Sequence, residues 1–209
     1  MTTVPRIRIL SIDDHPLLTE GIAAILNSQP DMQLVATACS GKEGIQKHHE
    51  IRPDITLTDL RLPDLGGIDV MRAIRGEFPD ARIILLTMFA GDVEIKRALE
   101  AGAHAYLLKS MPAERMVETI RQVHAGKKRV LPEIASHLAE HLGDERLTNR
   151  EIDVLRHACE GNRNRDIAER LFVSEHTVKV HIKHILGKLG ASDRTHAITI
   201  AARRGFIHF

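Results

Sequence analysis

The sequence of 209 residues has no tryptophan and a single tyrosine, Tyr106, so the intrinsic emission of the protein can report on only one position. It has only two cysteines, Cys39 and Cys159, which are far apart and favour reduced thiols over a disulfide. No apolar run approaches the length of a membrane span, and the first residues lack the pattern of a signal peptide. These absences predict a cytoplasmic protein that does not interact with membranes.

The composition, 43% hydrophobic and 27% charged residues, is typical of a soluble globular protein with one large or two small domains. The net charge of +1 conceals an asymmetry. Residues 146–209 carry 12 Lys and Arg against 7 Asp and Glu, whereas residues 1–145 carry 17 against 21. A basic C-terminal third after an acidic remainder indicates a nucleic-acid-binding module joined to a controlling domain.

The first 126 residues alternate between short apolar runs and amphipathic stretches. This alternation predicts an α/β domain with a doubly wound, five-stranded parallel sheet of the flavodoxin-like kind. The predicted strands lie near 6–12, 33–38, 54–58, 82–87 and 104–108, and the predicted helices near 16–28, 41–50, 67–77, 91–101 and 112–125.

After residue 126 the strand pattern stops, and a short helix at 132–142 and a hinge at 143–145 are predicted. Four helices follow, so the third segment is expected to be an all-α helix-turn-helix domain. Thr148 and Glu151 form a capping-box pattern, and Ser174 is a predicted N-cap. We therefore predict an α/β domain at 1–126, a linker at 127–145 and a helix-turn-helix domain at 146–209.

The third of these helices has one apolar and one basic face. Val178, Ile182, Ile185 and Leu189 recur at helical spacing and predict a buried stripe. A basic helix after a short turn is typical of a helix that enters the major groove of DNA. The candidate contacts with phosphates, guanine edges and thymine methyl groups are Thr177, Lys179, Val180 and Lys183.

Polar residues close four of the apolar runs in the first domain: the pair Asp13 and Asp14, then Asp59, Thr87 and Lys109. Because the carboxyl ends of parallel strands meet at one edge, these side chains are expected to converge there. Clustered carboxylates favour Mg²⁺, which assists phosphoryl transfer. The sequence therefore predicts an aspartate that accepts a phosphoryl group, with the lysine and the threonine binding its oxygens.

This ordered set resembles the two-component response regulators of the NarL/FixJ type, which join a receiver domain to a LuxR-type helix-turn-helix. The resemblance covers nearly the whole chain. The segments that carry it are Ile12-Asp13-Asp14-His15-Pro16, Leu57-Thr58-Asp59-Leu60-Arg61-Leu62-Pro63, Leu86-Thr87, residues 102–109, Leu147-Thr148-Asn149-Arg150-Glu151, Ile167-Ala168 and residues 174–181.

The resemblance implies that a partner histidine kinase phosphorylates Asp59. Mg²⁺ would be bound by Asp14, the Asp59 carboxylate and the backbone carbonyl of Arg61, with Asp13 acting through water. Thr87 and Tyr106 would form the switch pair.

In the second domain, the resemblance implies that Lys179, Val180 and Lys183 contact promoter DNA and that a last helix near 193–204 forms a homodimer interface. Phosphorylation is expected to convert monomers to DNA-binding dimers. The family pattern also implies a cis peptide bond before Pro112.

Simpler interpretations exist for single residues: Asp59 as a strand-end cap, Tyr106 as sheet-edge packing, and Lys179 and Lys183 as a solvated face. Two other functions also compete. An aspartyl-phosphate hydrolase would need a second acid two residues after its nucleophile, where this chain has Arg61, so no enzyme is predicted. A DNA binder that does not use phosphate is disfavoured, because it has no need for mutually repelling carboxylates.

Overall fold

The computed structural model describes residues 6–88, 91–127, 135, 136, 139, 141 and 145–207. By its internal contacts the chain divides into two compact units. The first comprises Met1–Phe89 and Lys96–Ala135, and the second comprises Ala90–Ile95 and Ser136–Phe209. None of the helices in the described part of the chain is both long and apolar enough to cross a membrane.

The first unit is built on a five-stranded, all-parallel sheet, as the strand–helix alternation predicts. The strands are β1 Ile7–Ile12, β2 Met32–Ala38, β3 Ile55–Asp59, β4 Ile83–Thr87 and β5 Ala105–Leu108. Their order in the sheet is β2-β1-β3-β4-β5. Strands β3 and β4 are buried along their whole length because helices cover both faces of such a sheet.

Five helices follow the five strands in turn, and each boundary lies within two residues of its predicted position. The helices are α1 Pro16–Asn27, α2 Gly41–Ile51, α3 Gly67–Glu77, α4 Asp92–Glu100 and α5 Ala113–His124. Their apolar side chains complete the core of the sheet. Examples are Ile22 and Leu26 of α1, and Val70 and Ile74 of α3, which are at most 4% exposed.

Strand register brings the polar strand ends together. Asp59 pairs with Leu86 across β3 and β4, and Thr87 pairs with Leu108 across β4 and β5. The Lys109 amide then donates to the Thr87 carbonyl at 2.7 Å, which places Lys109 one residue beyond the last strand at the same edge. Parallel strand pairing therefore brings Asp59, Thr87 and Lys109 to one edge although they are far apart in the sequence.

The second unit contains four helices in its described C-terminal part, as predicted. Thr148 and Glu151 form the expected capping box, and the side chains of Ser174 and Asp193 cap the third and fourth helices. The second helix begins at Asn164 with Arg163 at its N-cap. The helices are α6 Asn149–Cys159, α7 Asn164–Leu171, α8 Glu175–Leu189 and α9 Arg194–Arg203.

Phe172, which ends α7, has a backbone conformation that bulky residues rarely adopt. Its φ of 54° and ψ of 47° lie in the left-handed region, and its side chain is 95% exposed. Glycine or asparagine is the usual residue at such a helix end. The turn between α7 and α8 is therefore formed against the local preference of its first residue.

The peptide bond before Pro112 is trans, so the prediction of a cis bond there is wrong. No cis peptide bond occurs among the described residues. Pro112 is instead the trans-linked N-cap of α5, and trans is the lower-energy isomer of such bonds. Most of the linker helix predicted at 132–142 and of the hinge at 143–145 lies outside the described residues.

Candidate functional site

A cluster of acidic groups lies at the carboxyl edge of the sheet. Ligand atoms of Asp13, Asp14, His15 and Asp59 lie within 4.8 Å of one another. Asp13 and Asp59 are buried at 1% and 5% exposure, whereas the Asp14 side chain faces solvent in part. Carboxylate oxygens are the donors that Mg²⁺ prefers, so the donor set fits this ion.

Lys109 neutralises the buried half of this cluster. Its Nζ lies 2.6 Å from Asp59 Oδ2 and 2.7 Å from Asp13 Oδ2, and the lysine side chain is only 3% exposed. One buried cation is thus shared by two buried carboxylates. Loss of Lys109 would leave both buried carboxylates without this cation. Loss of one carboxylate would leave Lys109 paired with the other.

Burial raises the pKa of the Asp59 carboxyl above its usual value, and the hydrogen bonds from Lys109 and from the Arg61 amide oppose that rise. The Lys109 contact is the shortest of these, at 2.6 Å. The carboxylate is therefore poorly solvated and held in place by donors, which are favourable properties for a nucleophile.

The loop after β3 closes tightly on Asp59. The Gly67 amide donates to the Leu60 carbonyl at 2.9 Å, and Arg61 and Gly66 form an isolated β-bridge. A side chain at residue 67 would collide with the backbone oxygen of Asp59, so only glycine fits there. This closure holds Arg61, whose carbonyl the family pattern assigns to metal binding, directly beside Asp59.

The proposed switch residues lie on neighbouring strands and differ in their distance from the carboxyl edge of the sheet. Thr87 is 2% exposed at the end of β4, and Tyr106 is 1% exposed within β5. The Tyr106 ring is therefore inward in this structure. Phe89 lies two residues after Thr87 and is outside the described residues.

His15 belongs to this site although sequence reasoning gave it no role. Its Nδ1 lies 2.9 Å from Asp14 Oδ1 and 3.2 Å from Asp13 Oδ1, and its amide donates to Asp13 Oδ1 at 3.0 Å. Its position directly after the acidic pair is the only sequence signal that could have indicated this contact.

In the second unit, α8 has the two faces that the sequence predicts. Val178, Ile185 and Leu189 are at most 8% exposed and belong to the core of the unit, and Ile182 packs against it. Lys179 and Lys183 are exposed, and Val180 is 37% exposed, although large apolar residues normally avoid water. The exposed side of α8 therefore combines two cations with an apolar side chain.

Neighbours restrain two of the candidate DNA contacts. Lys179 Nζ lies 2.8 Å from Glu175 Oε1, one turn earlier on the same exposed side. The Thr177 hydroxyl lies 2.8 Å from the Ser174 hydroxyl, and its amide donates to the same Ser174 oxygen at 3.0 Å. Thr177 is thus half-buried in the N-terminal capping arrangement, whereas Lys179, Val180 and Lys183 are more accessible.

Two models of known protein families match this chain, one in each unit. The model of the response regulator receiver domain matches residues 9–121, which contain the acidic cluster. The model of the bacterial regulatory proteins of the luxR family matches residues 145–201, which contain α6, α7, α8 and most of α9.

Similar proteins share this arrangement over nearly their full lengths. The transcriptional regulatory protein LiaR of Bacillus subtilis is 38% identical over 97% of this chain and 100% of its own. The response regulator protein VraR of Staphylococcus aureus is 34% identical over 96% of this chain and 99% of its own.

Solved structures are also similar. The crystal structure of the response regulator ChrA, from a heme-sensing two-component system, is 35% identical, covers 98% of this chain and 100% of its own, and has a TM-score of 0.60. The RcsB–DNA complex, 23% identical over 95% of this chain and 98% of its own with a TM-score of 0.70, supports the fold alone. The chain therefore belongs to the two-component response regulators, as a DNA-binding transcription regulator with a receiver domain and a LuxR-type helix-turn-helix domain.

Proposed function

We propose that the protein accepts a phosphoryl group on Asp59 from a sensor histidine kinase and that this modification promotes dimerisation and promoter binding. The observation that carries this proposal is the convergence of Asp13, Asp14 and Asp59 with the ammonium group of Lys109. A buried carboxylate held between a cation and a candidate metal site suits phosphoryl transfer better than a structural ion pair does.

In the proposed transfer, a carboxylate oxygen of Asp59 forms a bond to phosphorus while the phosphorus–nitrogen bond of the donor phosphohistidine breaks. The released imidazole keeps the bonding electron pair and takes up a proton. The product is an acyl phosphate, whose oxygens Lys109 and the Thr87 hydroxyl would bind.

Asp14, the Asp59 carboxylate and the Arg61 carbonyl would bind Mg²⁺, and Asp13 would help through water. Mg²⁺ when bound would offset the negative charge of the phosphoryl group. Lys109 already offsets part of the charge of the two buried carboxylates before the ion arrives.

Thr87 and Tyr106 are the proposed switch pair. In this role the Thr87 hydroxyl turns toward the phosphoryl oxygens, and the protein surface around Thr87 and Tyr106 changes conformation. The surface would thus have two conformations, and one charged group would shift the equilibrium between them. Because the Tyr106 ring is inward in the structure, the emission of this single tyrosine should report any rearrangement around it.

On the DNA side, α8 would enter the major groove with Lys179, Val180 and Lys183 toward the duplex and Thr177 at its edge. Two such helices, joined through α9, would read half-sites about one helical turn apart. A dimer binds more tightly because its second contact is made at high effective concentration. We also propose domain limits of 1–126, 127–145 and 146–209 and a cytoplasmic location.

The proposal is tested by incubating the full chain with radiolabelled acetyl phosphate, with and without Mg²⁺. Labelling that needs Mg²⁺ and is lost under alkaline conditions, which cleave acyl phosphates, supports it. Absence of label at any Mg²⁺ concentration would favour the competing function, a DNA binder that does not use phosphate. A function that does not use phosphate gives no reason for three clustered carboxylates, of which Lys109 contacts two.

Dimerisation is tested by light scattering before and after addition of beryllofluoride, an acyl-phosphate mimic, in the presence of Mg²⁺. We expect the mass to double and the Tyr106 emission to change. A tyrosine response at constant mass would mean that dimerisation needs DNA, and no response in either signal would contradict the proposed switch.

Lys179→Ala and Lys183→Ala are expected to weaken binding to duplexes selected from a random pool by the wild-type protein. Loss of a base contact at Lys179 should cost about 1–3 kcal/mol, and loss of a phosphate contact at Lys183 should lower the slope of log affinity against log salt by about one. Arg156→Ala serves as the control, because it removes a charge from α6, where Arg156 pairs with Asp153. Unchanged gel shifts for both lysine variants would remove α8 from the DNA interface.

A further inference from the structure

The carboxylate of Asp64, in the loop between β3 and α3, caps the N-terminus of a different helix, α2. Its Oδ1 accepts hydrogen bonds from the amides of Gly41 at 2.7 Å and of Leu65 at 2.9 Å. Its Oδ2 accepts a hydrogen bond from the amide of Lys42 at 2.9 Å. The first amides of a helix have no partner within the helix, so a side chain from elsewhere in the chain satisfies two of them here.

The remaining amide of that first turn is capped locally. Ser40, the N-cap residue of α2, accepts a hydrogen bond from the Glu43 amide at 3.3 Å through its side-chain oxygen. One cap thus comes from Ser40, next to the helix, and the other from Asp64, which lies 23 positions after Gly41. Only the second cap connects α2 to the loop after β3.

Close packing makes this connection tight. A side chain at Gly41 would lie 2.9 Å from Leu65 Cβ and 2.7 Å from a methyl carbon of Val70, so α2 begins directly against the loop and α3. The hydrogen bond from Lys42, with those from Gly41 and Leu65, holds the pKa of the Asp64 carboxyl below its usual value, so the cap is charged. A charged acceptor also interacts favourably with the positive end of the helix dipole.

The same loop carries Arg61 at its base. There the Gly67 amide bonds to the Leu60 carbonyl, and the Arg61 amide donates to Asp59 Oδ1 at 3.2 Å. The loop is thus held at two places. Its base is closed beside Asp59 by the Gly67 and Arg61 amides, and Asp64 at its tip is bound to the first amides of α2. Movement of the tip would be transmitted to the Arg61 carbonyl over three residues.

We propose that Asp64 is a positioning residue of the phosphoryl-acceptor site, which holds the loop so that the Arg61 carbonyl and Asp59 keep the geometry that metal binding needs. This inference rests on the proposed function, because it concerns the same site. Mg²⁺ tolerates little departure from octahedral geometry, so a displaced carbonyl weakens binding. By linkage, Mg²⁺ in turn strengthens the cap on α2.

The test compares three variants of the full chain. Asp64→Ala removes the connecting cap, and Asp64→Asn keeps one acceptor oxygen. Ser40→Ala is the matched control for stability, because it removes a cap from the same helix without releasing the loop. Asp69→Ala is the matched control for charge, since Asp69 is an exposed carboxylate in the first turn of α3, paired with Arg72.

Titration calorimetry with Mg²⁺ alone should give a dissociation constant about tenfold higher for Asp64→Ala, the size typical of residues that orient metal ligands, and a smaller rise for Asp64→Asn. Both controls should stay within about twofold of the wild-type protein, although Ser40→Ala loses stability because its helix loses a cap. In the wild-type protein, Mg²⁺ should slow hydrogen exchange at the Gly41 and Lys42 amides.

Wild-type affinity in Asp64→Ala, or an equal loss in Asp69→Ala or Ser40→Ala, would overturn the positioning role while leaving the proposed function intact. Exchange at Gly41 and Lys42 that ignores Mg²⁺ would also overturn it. Failure of the proposed function has a different signature: the wild-type protein itself would show no Mg²⁺-dependent labelling by acetyl phosphate.

Discussion

Asp59→Asn is expected to abolish labelling of the protein by acetyl phosphate at every Mg²⁺ concentration. The asparagine amide has the shape of the carboxylate but lacks its nucleophilic oxygen, so no acyl phosphate forms. The fold should survive, because Lys109 keeps its 2.7 Å contact with Asp13 when Asp59 becomes neutral. Burial raises the pKa of Asp59, which means that the surroundings disfavour its charged form. A neutral asparagine therefore has a smaller desolvation cost at this position than the carboxylate.

Two further variants make this result specific. Asp13→Asn removes the other buried partner of Lys109 but keeps the nucleophile, so it should label slowly rather than not at all. Asp80→Asn changes an exposed carboxylate outside the cluster and should label like the wild-type protein. Label that persists in Asp59→Asn, located by peptide mapping on another residue, would show that Asp59 is not the acceptor.

The stability of the first unit should fall by about 3 kcal/mol between pH 6.5 and pH 4 because of one buried histidine, His48. The imidazole is 3% exposed, and its Nδ1 lies 2.9 Å from the Thr56 hydroxyl. Burial, together with the charge of Arg52 and the proximity of His49, lowers the pKa of His48 from 6.5 to about 4. The folded protein therefore keeps this ring neutral at pH values where the unfolded chain protonates it.

The direction of the pH effect follows from which state binds more protons. Above pH 6.5 the ring is neutral in both states and contributes no pH dependence. As the pH falls toward 4, the unfolded chain takes up a proton that the folded chain excludes, so the free energy of unfolding decreases. The loss is complete near the folded pKa of about 4, below which both states are protonated.

Urea unfolding followed by tyrosine emission measures this effect, because Tyr106 is the only tyrosine and lies in the sheet of the first unit. His48→Asn places an amide near the position of Nδ1 and cannot titrate, so its stability should be lower at neutral pH but flatter toward acid. His49→Asn, at an exposed neighbouring position, should retain most of the acid dependence. An acid slope that is unchanged in His48→Asn would assign the effect to other groups.

The α/β architecture was predictable because strand and helix periodicity are local properties. Runs such as Ile83-Ile84-Leu85-Leu86 can be buried on both faces only within a covered parallel sheet, and breakers such as Pro53 and Pro79 separate the elements. In the second unit, the Thr148–Glu151 pair and the apolar stripe of α8 operate within one or two helical turns. Their geometry follows from helix periodicity without reference to the rest of the chain.

The approximate composition of the acidic site was also predictable, because parallel strands place their carboxyl ends at one edge whatever their order. The contacts between its side chains were not predictable. The chain alone does not indicate that Lys109 contacts both Asp13 and Asp59, 50 residues from the latter, or that the His15 ring turns back onto the acidic pair. These contacts depend on strand register and on which side chains remain shielded from water.

The sequence by itself determined the elements, their order and the set of charged residues at the sheet edge, since each follows from periodicity or from position at a strand end. Only the tertiary structure decided which of those charges meet, that His48 is buried against Thr56, and that Asp64 caps a helix whose first residue lies 23 positions before it. The physical reason is that ion pairs, burial and caps between distant segments depend on distances in space, which a local sequence pattern does not specify.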